Sequence, residues 1–265
     1  MGQAIIAGLL NKGFPKSQIT VSEPWEVNRQ KMADLGVNVT TDNLEAAGSA
    51  NIVILAVKPQ VVKTVCEELA SSSYSSDKSL PLLVSIAAGV TGASLKKWST
   101  TKDGKSLPIV RVMPNTPALL GEGASGVYAA EEVTEEQKSQ VNALLKSVSR
   151  ATEWVDREDL LDVVTGLSGS GPAYIFAFAE HLIASATKLG LSEEQATRLA
   201  TQTCLGAGRM LVEASEQPAQ LRKNVTSPNG TTQAALESFE ASGFAAIVDK
   251  AVKAAVSRSE ELGRA

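Results

Sequence analysis

The run NIVILAV, Asn51–Val57, decides the fold. After Asn51 it is continuously apolar and rich in β-branched residues, without the alternation of a half-exposed strand. Such a run belongs to a strand covered by helices on both faces of a parallel sheet, and the expectation is that it is central. Upstream, Gly2–Lys12 reads as a helix stopped by Gly13 and Pro15, Ile19–Val21 as a strand, Trp25–Leu35 as a helix closed by Gly36, and Val37–Val39 as a further short strand. Asp42 is placed to cap a short helix. Downstream, Val61–Ala70 is helical, Ser71–Ser79 is a serine-rich loop, Leu82–Ile86 and Ile109–Val112 are buried strands, and Ser99–Ser106 is a solvated loop. Strands that alternate with helices give parallel βαβ units. Thr134–Ser149 reads as the helix that closes this region, with Thr134 and Gln137 in capping-box spacing.

Beyond about Trp154 the strand runs end and apolar residues recur at helical spacing to the C-terminus, so the second part is all-α. Ser170–Lys188 has Pro172 in its first turn and stops at Gly190; Ser192–Ala214 opens on a second capping box, Ser192 and Gln195. The first of these carries apolar residues on more than one face, which predicts burial against a second subunit.

Composition narrows the functional classes. In 265 residues, 25 Lys and Arg face 29 Asp and Glu, a formal charge of -4, and no basic stripe is present to neutralise a nucleic-acid backbone. No apolar stretch approaches the ~20 residues of a membrane span. Cys66 and Cys204 are the only cysteines and His181 the only histidine, which leaves no disulfide framework, structural zinc site or His-dependent triad. A reducing, cytoplasmic compartment fits, and His181, Cys66 and Cys204 read as packing residues.

Ligands of an open α/β sheet bind outside the carboxyl ends of its strands. Here those ends are Ser22–Pro24, Ala56–Pro59, Ala87–Gly89 and Met113–Pro117. Small residues at Ala87–Gly89 permit close approach of a flat ring or pyrophosphate, and Lys58 offers a cation, although it also reads as a solvated lysine ahead of a turn proline. A second candidate is VTSPNGTT, Val225–Thr232, which feeds a helix from about Thr231 to Ala241. A helix N-terminus there would receive a carboxylate or phosphate, and the same residues also fit an ordinary N-cap loop. The glycines and serines of TGLSGSGPAY, Thr165–Tyr174, permit either close packing or ligand approach.

AVKP (Ala56–Pro59), SIAAGV (Ser85–Val90), RVMPNTPA (Arg111–Ala118), TGLSGSGPAY and above all PAQLRKNVTSPNGTTQAALE (Pro218–Glu237) together resemble pyrroline-5-carboxylate reductases over essentially the whole chain. The resemblance implies a Rossmann-type doubly wound parallel sheet in 1–156, followed by an all-α substrate-binding and dimerisation domain in 157–265. It implies NAD(P)H-dependent reduction of 1-pyrroline-5-carboxylate to L-proline, with NADPH as cofactor, NADH as the alternative, and a homodimer or a higher oligomer built of dimers. Carried over position by position, cofactor contacts fall on Gly2, Gln3, Ser22, Glu23, Asn43, Ala56, Val57, Lys58, Pro59, Ala87, Ala88, Asn115 and Asn224. Substrate contacts fall on Glu158, Ser227, Gly230, Thr231 and Thr232, with Thr232 as the catalytic hydroxyl and no metal. Members of that family open on a strand and a GAGNMG turn, and this chain begins at the Met-Gly of such a turn. The expectation is therefore a start assigned downstream of the natural one, or a shortened chain, with weakened cofactor binding. The alternatives are a non-catalytic oligomeric paralogue and a hydroxyacid-type dehydrogenase; the latter lacks its lysine, since none occurs between Arg157 and Thr187.

Overall fold

The structure is a computed structural model and describes residues 1–71 and 80–264; most of the expected serine-rich loop, Ser71–Ser79, lies outside the described residues. The chain divides into two units, 1–169 with 255–265, and 170–254, whereas the sequence pattern changes at about Trp154.

In the first unit two β-sheets form. β1 (Thr20–Ser22) and β2 (Asn38–Thr40) pair in parallel as a two-stranded sheet. β3 (Ile52–Leu55), β4 (Leu82–Ser85), β5 (Ile109–Met113), β6 (Gly123–Ala129) and β7 (Ser149–Trp154) form a five-stranded sheet in that order. All its neighbours are parallel except β5 and β6. Helices α1 (Gly2–Asn11), α2 (Glu26–Asp34), α3 (Asn43–Ala47), α4 (Pro59–Ser71), α5 (Gly92–Ser99) and α6 (Glu135–Leu145) alternate with these strands. The expected α/β class with a parallel-dominated sheet is present, with one antiparallel neighbour that the sequence did not announce.

Period-2 alternation with both faces buried holds the larger sheet together. Leu55, Leu83 and Ile109 point to one face, where Val62, Cys66 and Leu69 of α4 and Leu95 of α5 cover them. Leu82, Val84, Val110 and Val112 point to the other, against Val141 and Leu145 of α6. Burial raises the Cys66 thiol to about 11, helped by the neighbouring Glu67 carboxylate, so Cys66 is a packed, unreactive thiol.

Three expectations need correction. NIVILAV is not central: β3 is the edge strand, and β5 takes the middle. An uninterrupted apolar run reports that both faces are covered; it says nothing about lateral neighbours, and no ladder joins β1 or β2 to β3. Strands β6 and β7 escaped the sequence reading, and the helix expected to reach Ser149 ends at Leu145. GASGVYA has low strand propensity because its glycines serve close approach: a Cβ on Gly123 would sit 2.7 Å from the Val148 carbonyl oxygen, and one on Gly126 2.6 Å from Val164.

After β7 every element is helical: α7 (Leu160–Val164), a π-helical turn (Thr165–Gly169), α8 (Gly171–Lys188), α9 (Glu193–Glu213), α10 (Pro218–Asn224), α11 (Thr231–Ala241) and α12 (Phe244–Arg264). Both expected capping boxes are formed, at Thr134/Gln137 and Ser192/Gln195, and Asp42 caps α3. Among the described residues no helix is long and apolar enough to cross a membrane.

Helix α1 lies flush on the α6–β7 connection, since a Cβ on buried Gly8 would meet the Ser147 carbonyl oxygen at 2.5 Å and Val148 Cγ1 at 2.6 Å. Gly8→Ala therefore destabilises the chain by ~1–3 kcal/mol in urea unfolding, because overpacking against backbone outweighs the ~1 kcal/mol gain in helix propensity; a stabilised variant would show that α1 packs elsewhere.

Candidate active site

The carboxyl ends of β3 and β4 lie side by side, with the Ile86 N–H donating to the Leu55 carbonyl at 3.2 Å. Beyond them, Ala56, Val57, Lys58, Pro59 and Ala88 are exposed while Ala87 is buried. The N-terminus of α1 meets the same place: a Cβ on Gly2 would lie 3.0 Å from Ala56 Cβ, and no side chain caps α1. Gln3, next on α1, is exposed. Free N–H groups of a helix facing an open strand end lined by alanine suit a pyrophosphate, so these residues fit a dinucleotide. Pro59 opens α4, where its missing N–H costs nothing. Gly89 holds φ +72°, and a Cβ there would press on Leu262 of α12 at 3.0 Å.

At the end of β1, the Glu23 carboxylate accepts the Trp25 N–H at 3.0 Å, and Arg29 Nη1 donates to the carbonyls of Glu23 and Pro24 at 2.9 and 3.0 Å. Asn43 spends its amide on Glu68, at 2.6 Å. Asn115, 8% exposed, is likewise engaged: Nδ2 donates to the Ser168 carbonyl at 3.1 Å and Oδ1 accepts the Ala124 N–H at 2.9 Å. It ties the π-helical turn to the start of β6. Gly169 of that turn packs on Met113, where a Cβ would meet Cε at 2.6 Å, so this glycine serves packing.

Glu158 is joined to two groups distant in sequence. Its Oε1 accepts from Arg111 Nη1 at 2.6 Å and from the Gly92 N–H, the first residue of α5, at 2.5 Å. Sequence reasoning missed Arg111. The signal was present: a guanidinium inside the apolar strand IVRVM requires a buried partner. Arg29 was missed as well, one turn into α2.

In the second unit, Ser227–Gly230 form a turn closed by the Gly230 N–H on the Ser227 carbonyl at 3.0 Å. Asn229 holds φ 59°, the only positive φ outside glycine among the described residues. Gly230 is the N-cap of α11 and supplies no side chain, so the N–H groups of Thr231 and Thr232 keep no side-chain cap. The loop is thus no ordinary hydroxyl cap, and its helix end is open to an anion. Thr232 is half-buried; Ser227 and Thr231 are exposed. Asn224, the last residue of α10, accepts from Gln220 at 2.8 Å. Among the described residues no group of three His, Cys, Asp or Glu side chains is placed to hold a metal.

Comparison with known proteins gives the frame for these residues. A curated pyrroline-5-carboxylate reductase of Pseudomonas aeruginosa is 47% identical, over 99% of this chain and 93% of the relative. The chain belongs to the pyrroline-5-carboxylate reductase family. A second family member, from Pasteurella multocida, is 41% identical over 99% of this chain and 94% of its own. The pyrroline-5-carboxylate reductase dimerisation model matches residues 158–262, and the model described as NADP oxidoreductase, coenzyme F420-dependent, matches 1–89. Among solved structures of the family, the Coxiella burnetii reductase superposes with a TM-score of 0.91 at 39% identity, covering 98% of this chain and 94% of that one. The Plasmodium falciparum enzyme, solved with NADP bound, gives 0.83 at 32%, covering 99% and 94%.

Because Arg111 is only 12% exposed, Glu158→Ala leaves its guanidinium unpaired and α5 without an acceptor at its first N–H. The loss is on the order of 3 kcal/mol in denaturant unfolding, and adding Arg111→Met recovers most of it. A single variant as stable as the parent would show the pair to be a surface contact.

Proposed function

We propose that this chain reduces 1-pyrroline-5-carboxylate to L-proline, the last step of proline biosynthesis, with NAD(P)H as reductant. The observation that carries the reading is the uncapped N-terminus of α11 behind Ser227–Gly230, in a chain 47% identical to a curated reductase. The substrate is a small cyclic imine bearing a carboxylate. The backbone N–H groups of Ser227, Thr231 and Thr232 hold that carboxylate, with the positive end of the α11 dipole behind them; those of Asn229 and Gly230 are taken by Gln233 and by the Ser227 carbonyl. Thr232 hydrogen-bonds the ring nitrogen through its hydroxyl.

The dinucleotide region is assigned to 1–156 and the substrate and dimerisation region to 157–265. Gly2 and Gln3 at α1, Ser22 and Glu23 at β1, Ala56–Pro59, Ala87 and Ala88 at the ends of β3 and β4, Asn43, Asn115 and Asn224 form the proposed cofactor set. The reduced nicotinamide supplies the hydride. The chain's own task is placement, because a protonated imine is already electrophilic and needs no strong acid. Within that set, Asn43 and Asn115 act by holding α3 and the π-helical turn in place, since their amides are bonded to protein.

Assembly follows from exposure. No residue of α8 is buried in the isolated chain, although the helix carries Ile175, Phe176 and Phe178, the second of these 66% exposed. On α9, Leu205, Leu211 and Val212 are exposed too. Such a surface exceeds what a soluble monomer presents, and we assign it to a homodimer, with higher multiples built of dimers, in the cytoplasm.

The activity is tested by following NADPH oxidation with pyrroline-5-carboxylate and identifying proline as product; oxidation without proline would overturn the reading. Thr232→Ala lowers kcat by on the order of 10²-fold while leaving NADPH affinity nearly intact, as the loss of one positioned proton donor does. The opposite result, weak NADPH binding with normal turnover, would remove Thr232 from the chemistry. Light scattering at micromolar concentration shows a dimer or a multiple of it, and Phe176→Asp costs assembly and folding together; a stable folded monomer would refute the assigned interface.

A further inference from the structure

Helix α12 begins in the second unit and ends in the first, to which residues 255–265 belong. Among its described residues a single one is buried, and it is polar: Ser259. The Ser259 hydroxyl donates to Asp162 Oδ1 at 2.6 Å, 97 residues away in sequence. An aliphatic side chain would hold a helix to a protein face without the cost of desolvating a hydroxyl. A hydroxyl bonded to a carboxylate does something else, because it accepts a narrow range of distance and angle and so fixes where the helix end lies.

What that helix end covers is the loop Gly89–Gly92, between β4 and α5. Leu262 lies so close that a Cβ on Gly89, at φ +72°, would meet its Cβ at 3.0 Å and its carbonyl carbon at 3.3 Å. A Cβ on Gly263 would stand 3.7 Å from Thr91 Cγ2. The other end of the loop is held by Glu158, whose carboxylate accepts the Gly92 N–H. Asp162 follows Glu158 on the way through α7, so one short segment, 158–162, grips the loop directly at one end and through α12 at the other. The loop continues from Ala87 and Ala88. With the pyrophosphate at α1 and β3 and the adenosine half toward β1, the end of β4 is left to the nicotinamide half.

We propose that Asp162 and Ser259 are positioning residues of the reductase: their hydrogen bond docks the last turn of α12 on Gly89–Gly92 and thereby fixes the backbone of Ala87 and Ala88 against the nicotinamide. The end of α12 then serves hydride transfer, although it lies within the stretch, 158–262, that the dimerisation model matches. The inference rests on the reductase reading above.

Its test is kinetic and uses the full chain with NADPH and pyrroline-5-carboxylate. Ser259→Ala and Asp162→Ala each lower kcat by ~10-fold, the scale of a small misplacement of the reacting groups. The KM for pyrroline-5-carboxylate stays within about twofold, because the carboxylate is held at α11. Light scattering gives the parent's assembly. The double variant loses no more than either single one, since both remove the same bond. Asp162→Asn, which keeps an oxygen for the Ser259 hydroxyl, recovers most of the turnover. A measurement on the unaltered chain removes any dependence on how the variants fold: by reciprocity, NADPH slows amide hydrogen exchange at Glu260–Arg264 as well as at Val90–Leu95. Parental kcat in folded single variants, multiplying losses in the double variant, a lost oligomer, or exchange at Glu260–Arg264 that ignores NADPH would each overturn the proposal while the reductase reading stands. A parent chain that forms no proline overturns that reading, and this proposal with it.

Discussion

The constraint on which the first unit depends is the burial of β4 and β5 on both faces. Leu82, Leu83, Val84 and Val110 are wholly buried, so the backbone groups of these strands have no water to turn to and must pair laterally. Sheet order follows from that requirement. Polar side chains within these strands need partners inside the protein, as Arg111 finds in Glu158, whereas Ala56–Pro59 and Ala88, beyond the ends of β3 and β4, are exposed.

Where physical chemistry is local, the fold was legible. The capping boxes, the Asp42 cap, the glycine stops and the limits of α11 follow from hydrogen bonds and torsions within a few residues, and these elements appear where the sequence put them. What depends on distant partners was not. The edge position of β3 is decided by which strands are available beside it. β6 is a strand because β5 and β7 recruit it, against the propensity of Gly123 and Gly126, which are there to let Val148 and Val164 approach.

The site divides along the same line. The open strand ends and the anion-accepting start of α11 were visible as residue types in order. The Glu158–Arg111–Gly92 junction joins segments far apart in sequence, and nothing near Glu158 indicates it. Asn115 and Asn43 are named from resemblance; the Asn115 amide is bonded to protein through both its nitrogen and its oxygen, that of Asn43 through its nitrogen. Residue identity alone does not separate a group that touches a ligand from one that holds the scaffold still, because both are polar, buried and specific in geometry.

The glycine cap of α11 has a consequence for attempts to make this protein more robust. Helix ends are among the first places where a chain is improved, and replacing a bare N-cap by Ser or Asp commonly adds on the order of 1 kcal/mol. At Gly230 the same change would spend the first-turn N–H groups on an internal acceptor, and its Cβ would press against the Ser227 carbonyl oxygen at 3.0 Å. On the proposed reading, local stability at this helix end is left unclaimed for the substrate's carboxylate, and selection for heat resistance alone would work against that arrangement.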